Sequence, residues 1–267
     1  MPVAVLLEEG SLSAESVQGW IAAVVGLLTA LVAIFKYFNY RNRRDRRAAI
    51  GESFTHTVDA LASGNETQQM AAAVLLRRFF DARTEQGGVG RPYYRETVEV
   101  IAGMLREAQS ERLQKVLADG LRYARNLRRA DLQKCDLHKA YLGTKVGDKL
   151  VLDLTGADLY RSDCSGASLR GVLAVTTVFY RANLEGTVFE GADLQGADFR
   201  MAQLKGSKFA GAKIGGARFA GAQNLPDEIT QLLDESFAAV PAAVVPGAAI
   251  SRPTRRERLR AAISPGR

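Results

Sequence analysis

Two cysteines and two histidines in 267 residues leave little from which to build a metal site or a thiol centre. No run of glycines ends in Lys-Ser or Lys-Thr, so the usual phosphate cradle is missing. No cluster has metal-ligand spacing, and no nucleophile stands beside a base along the chain. Cys135 and Cys164 read as small apolar fillers in a protein of the reducing cytosol. A disulfide is not the expectation. His56 stands alone on a helical stretch and His138 falls on an outward position, which suits structural or solvated roles. An enzyme is therefore not expected, and neither a cofactor nor a metal is implied. The formal net charge of +7 and a pI near 9.5 exclude a predominantly acidic surface.

What is abundant is a period of five. From Ala157 to Gln223 a large apolar residue returns at Leu159, Leu169, Phe179, Leu184, Phe189, Leu194, Phe199, Leu204, Phe209, Ile214 and Phe219. Ala, Ser or Thr sits two before most of these; Val172, two before Ala174, is the bulky exception. Gly follows two after in most units, from Gly166 to Gly221. Five fits neither a helix (3.6) nor a strand (2.0), so a repeat architecture is indicated. Four five-residue sides make a twenty-residue turn with a narrow core, holding one large and one small inward residue per side. Gly after the large residue suits a tight corner with φ > 0.

Triplets such as Ala157-Asp158-Leu159, Ala182-Asn183-Leu184, Ala192-Asp193-Leu194 and Ala197-Asp198-Phe199 resemble the pentapeptide-repeat family, whose pattern is A(D/N)LXX. The resemblance implies a right-handed quadrilateral β-helix. Register then stacks Phe179, Phe199 and Phe219 on one side, opposite Phe189 and Phe209. It also puts Asp193 beneath Lys213 and Asp198 beneath Arg218, as solvated pairs contributing at most about 1 kcal/mol each.

An earlier turn is marked by Leu127, Leu132, Leu137 and Leu142, with Arg125, Ala130, Cys135 and Ala140 as their inward partners. The phase slips between Leu142 and Leu154, so a loop over 143–153 is expected. Its Leu150, Val151 and Leu152 are apolar, and Leu173, Val175 and Val178 lie one turn on. Together they form a candidate partner patch. The alternative is that the loop folds over the patch and buries it.

The chain before the repeat divides in three. Residues 1–16 are short and mildly acidic. Residues 17–38 form an apolar run of membrane-spanning length. Arg41, Arg43, Arg44, Arg46 and Arg47 follow it, which orients that end to the cytoplasm and the N-terminus outside. Gly19, Ala23, Gly26, Ala30 and Ala33 make a face of small residues, with Trp20 at the interface, and suit self-association of the span. Residues 39–125 hold the arginines and a helical, HEAT-like cap domain. Asn65 is the expected N-cap of a helix over 66–82 that buries Met70, Val74, Leu75 and Phe79. Two more helices are expected over 93–108 and 111–125.

After the repeat (126–225), residues 226–239 read as an amphipathic capping helix with Ile229, Leu232, Leu233 and Phe237 on its apolar face. Residues 240–267 read as a linker and a basic tail. The expected class is α+β: a transmembrane helix, a small helical domain, then the solenoid.

Resemblance to single-pass bacterial pentapeptide-repeat proteins implies a scaffold in the inner (plasma) membrane. It presents the solenoid to an unidentified cytoplasmic protein, with the bilayer and a second copy as further partners. The alternative function is binding of nucleic acid or of a DNA topoisomerase. Family members that mimic DNA present acidic surface, whereas residues 126–223 carry 14 Lys and Arg against 10 Asp and Glu, a net +4. Nucleic acid is not the expected partner.

Overall fold

The computed structural model describes residues 14–144, 151–235, 237–239 and 244–246, with side chains from Leu28 onward. The N-terminal 1–13, Leu150 and the basic tail from 247 lie outside the described residues. The chain divides into two units, Met1–Ser53 and Phe54–Arg267.

Helix α1, Ala14–Leu61, has 48 residues. In the first unit its Leu28, Leu31, Val32, Ile34, Phe35 and Phe38 side chains are each more than half exposed. At 3.6 residues per turn these six fall within an arc of roughly 160°, one broad apolar side of the helix. Among the described residues no helix is long and apolar enough to cross a membrane. Within the span expected at 17–38, side chains are described only from Leu28 onward.

In the second unit, Phe54 near the end of α1 stacks on Tyr93 at 4.7 Å and meets the edge of Phe79 at 5.2 Å. Helix α2, Glu66–Leu76, starts where Asn65 accepts from the amides of Thr67 and Gln68. It stops earlier than expected, in a 3-10 turn at Arg77–Phe79. Its buried residues are Ala72, Ala73 and Leu76, whereas Val74 and Leu75 are exposed and Met70 is half-buried. The expected face was wrong, except for Phe79. Alanines on a helix face let a neighbouring backbone come close, and α2 packs against helix α4, Glu111–Gly120. Helix α3, Tyr94–Arg106, buries Val98, Ile101, Ala102 and Leu105. The chain then turns through a 3-10 segment, Leu121–Ala124, into the solenoid.

Each coil of the solenoid has four sides. Side one stacks Leu127, Leu154, Ala174, Leu194 and Ile214; side two stacks Leu132, Leu159, Phe179, Phe199 and Phe219. Side three stacks Leu137, Cys164, Leu184 and Leu204; side four stacks Leu142, Leu169, Phe189 and Phe209. All are buried, and parallel bridges link the residues just before them, as in Asp158↔Val178 and Val178↔Asp198. Phe179, Phe199 and Phe219 stack face to face at 5.0 Å, as do Phe189 and Phe209. The two columns meet edge to face at 5.6–5.9 Å. Buried hydroxyls in the small slots are satisfied by carbonyls one coil below, Thr177 on Leu154 and Thr187 on Cys164, both at 2.8 Å.

The first coil pairs with the second at an offset of 27 residues, Asn126↔Asp153 to Tyr141↔Ser168, against 20 everywhere above. The insertion is therefore seven residues between Thr144, which still donates to Arg170, and Leu152. Arg125 departs from expectation. It is exposed, with φ 58°, and is not an inward filler.

Both open ends of the stack are covered. On the first coil, Asp136 N–H donates to the Leu105 carbonyl and Tyr141 N–H to Asp119. Arg106 donates to the carbonyls of Gln133 and Asp131, and Lys115 to that of Lys139. Tyr94 donates to Ala124 and Asn126, and burial pushes its hydroxyl above the ordinary tyrosine range despite the Asn126 bond and the nearby Arg125 charge. At the far end the expected helix over 226–239 is a correction. Only α5, Asp227–Thr230, is helical. Beyond it the chain lies antiparallel on the last coil, Arg218↔Ala238 and Lys213↔Val244, with Ala239 and Val245 buried. The last coil offers a row of amides and carbonyls, such as Gly216 N–H to Ala239 and Val245 N–H to Ala212. An extended segment can pair with them and a helix cannot.

Candidate interaction surface of the solenoid

The outward residues are set by the same register that fills the core. Asp131, Asp136, Asp153, Asp158, Asp163, Asp193 and Asp198 each accept the amide two residues on with one carboxylate oxygen. These short side chains hold the turn at each corner, so their carboxylates are engaged in the fold. Asp193 meets Lys213 at 3.8 Å. Asp198 meets Arg200 at 2.7 Å and Arg218 at 3.0 Å. The expectation of a solvated Asp198 is corrected: the residue is only 4% exposed, covered by its two arginines. Burial pushes its carboxyl up. The Arg200 side chain and amide bonds and the charges of Arg218 and Arg200 outweigh that, and hold it below the ordinary carboxylate range.

The expected partner patch does not form a single exposed surface. Leu152 is buried in an inward slot two before Leu154. Room exists there because Arg125, at the same position one coil below, points out. Val151, Val175 and Val178 are half-buried, and Leu173 is 40% exposed. Leu150 lies outside the described residues. In the first unit Arg41, Arg43, Arg44, Arg46 and Arg47 are exposed on α1, with Arg41 3.9 Å from Asp45. Ala30 and Ala33 are exposed on the same helix. Gly19, Trp20, Ala23 and Gly26 lie on its helical backbone, their side chains outside the described residues.

One group of polar residues escaped the sequence reading. His138 Nδ1 lies 2.9 Å from Ser165 Oγ, which donates to Asp163 at 2.6 Å; Asn183 donates to the same oxygen at 3.1 Å. The order is wrong for an activated nucleophile. The hydroxyl proton is committed to Asp163, the ring nitrogen donates rather than accepts, and the carboxylate is filled by three donors. The group braces three successive coils. His138 and Ser165 are 27 apart, so only the length of the insertion could have predicted the contact. Both cysteines are free and buried, and burial pushes each thiol up to about 12. Among the described residues no group of His, Cys, Asp and Glu could hold a metal.

The pattern of the pentapeptide repeats family matches in eight copies, over residues 152–173 and 177–211. The solenoid is built of pentapeptide repeats. Solved structures similar to the chain include a pentapeptide repeat protein from the cyanobacterium Cyanothece 51142, at 24% identity over 37% of this chain and 61% of that one, TM-score 0.29. HetL, a pentapeptide repeat protein involved in heterocyst differentiation regulation in the cyanobacterium Nostoc sp. strain PCC 7120, is 34% identical over 37% of this chain and 46% of that one, TM-score 0.27. QnrB1, a plasmid-mediated fluoroquinolone resistance protein, is 15% identical over 39% and 65%, TM-score 0.19. The chain spans less than two thirds of each of these relatives. No curated protein matches it.

Proposed function

We propose that the protein is a non-enzymatic scaffold, anchored in a bacterial inner membrane by the N-terminal part of α1, that holds its pentapeptide-repeat solenoid out to a cytoplasmic protein partner. The observation that carries this reading is where the polar side chains are spent. Seven aspartates hold their own corners, and His138, Ser165 and Asp163 brace adjacent coils. What remains outward is a rigid ladder suited to recognition. The exposed apolar side chains of Leu28–Phe38, followed by five arginines, support the anchor and its orientation. The small residues through Gly26 support pairing of two copies within the bilayer. A net +4 over residues 126–223 speaks against mimicry of DNA toward a topoisomerase.

Photocrosslinking from exposed positions on the solenoid in intact membranes tests the scaffold. The expected result is one protein captured from several neighbouring positions on the solenoid. Capture of that protein only from crosslinkers placed on α2–α4, and from none on the solenoid, would assign the interaction to the helical domain.

A further inference from the structure

The corner between sides two and three differs from the others. Its residues take φ > 0, where glycine fits without strain and Asn or Asp fit best among the rest. In the first three coils this corner is instead Lys134, Arg161 and Arg181, at φ 56°, 55° and 59°. Across all corners, the positions without glycine are Arg129, Lys134, Lys139, Arg161, Thr176, Arg181 and Met201, five of them basic and none acidic. Backbone strain is thus accepted in order to place long cations. Among the described residues none of Lys134, Arg161 and Arg181 has an ion-pair partner. The two arginines are held in place. Arg161 lies over Tyr160 at 5.2 Å and Arg181 over Tyr180 at 5.3 Å. The two tyrosines stack at 5.8 Å, and Arg200 covers Tyr180 at 5.4 Å.

We propose that this corner is the docking line for an extended acidic peptide segment of the partner, a deepening that rests on the scaffold reading. Guanidinium groups held over rings are partly pre-positioned and keep N–H donors for carboxylates. The cations rise one per coil, roughly 4.8 Å apart, as a line one residue wide. The columns Asp131, Asp158, Val178 and Asp136, Asp163, Asn183 border that line on its two sides. Carboxylates on one face of an extended strand recur roughly every 6.7 Å, within reach of the long side chains of this line, and the bordering aspartates are already engaged by their own turns. A uniformly anionic chain such as nucleic acid meets the aspartates that flank Lys134 and Arg161. It also finds no free aromatic face on Tyr180, which Tyr160 and Arg200 already cover.

The test is fluorescence anisotropy of the full chain in detergent with a labelled peptide of alternating glutamate and threonine. Saturable binding is expected, weakened about tenfold by R161Q with R181Q, since two surface charges are removed. Lys208→Gln, on side four, should leave it unchanged. Arg161→Gly with Arg181→Gly should weaken binding equally while the fold keeps its melting temperature, because glycine suits those corners. Equal weakening by Lys208→Gln would reduce the effect to net charge and overturn the proposal. Tighter binding of oligothymidylate or of phosphatidylglycerol vesicles would overturn it in favour of nucleic acid or lipid. Absence of peptide binding while crosslinking still captures a partner would overturn the docking line and leave the scaffold standing.

Discussion

At the scale of single residues the fold depends on polar groups being fully used. Asp198 shows how this becomes measurable. Its folded pKa lies below the ordinary value of 3.8, so its interactions add stability above that pH, and the contribution is lost as pH falls through the folded pKa. Its arginine partners are partly solvated, which limits the effect to about 1 kcal/mol. Asp198→Asn keeps the oxygen that accepts the Arg200 amide and loses the charge. The variant should melt below the wild type near neutral pH and converge on it in acid, as the pH falls through the folded pKa. Thermal melts across that range check this; a difference that does not shrink in acid would mean the loss is one of packing. Cys164 and Ala174 teach a second lesson. Each occupies a large-residue slot; Val172 in the small slot makes up volume beside Ala174, whereas Ser162 beside Cys164 does not, so that pair is the smaller one.

At the scale of elements, the pentapeptide coil is the unit, and its register is open to a direct test. Ala197 is fully buried between Thr177 and Ala217 in a column of small residues, while Gln195 is exposed. Ala197→Leu should cost about 1–3 kcal/mol through forced displacement or off-rotamer packing. Gln195→Leu should cost little, and comparing the two melting temperatures checks the assignment. In α1, Gly26→Leu should weaken self-association in a membrane two-hybrid assay; an unchanged signal would make the small residues lipid-facing filler. The period of five made the columns of Phe179, Phe199 and Phe219 legible, because each side repeats its demand for one large residue. The Asn65 cap was legible for a similarly local reason. The face of α2 was not, since Ala72 and Ala73 carry no hydrophobic signal and are chosen by how close α4 comes. Nor was the C-terminal cap. Residues 226–239 have helical spacing, but the open edge of the last coil offers hydrogen bonds only to an extended chain. The inward slot of Leu152 was not legible, because it depends on Arg125 turning outward, a backbone event with no signature in the period.

At the scale of the whole molecule, the solenoid is a stack in which each coil is the template for the next, so strain and stability pass between neighbours. Both of its ends are covered among the described residues, by α3 and α4 at one and by Ala239 and Val245 at the other, which shields the paired edges from other chains. The proposed role then depends on where this rigid body is held. Alkaline carbonate extraction of membranes containing the full chain tests that most directly. The account predicts that the protein stays in the membrane pellet and that deletion of residues 17–38 releases it. Release of the intact chain into the supernatant would contradict the anchor, and with it the reading of the solenoid as a membrane-held scaffold.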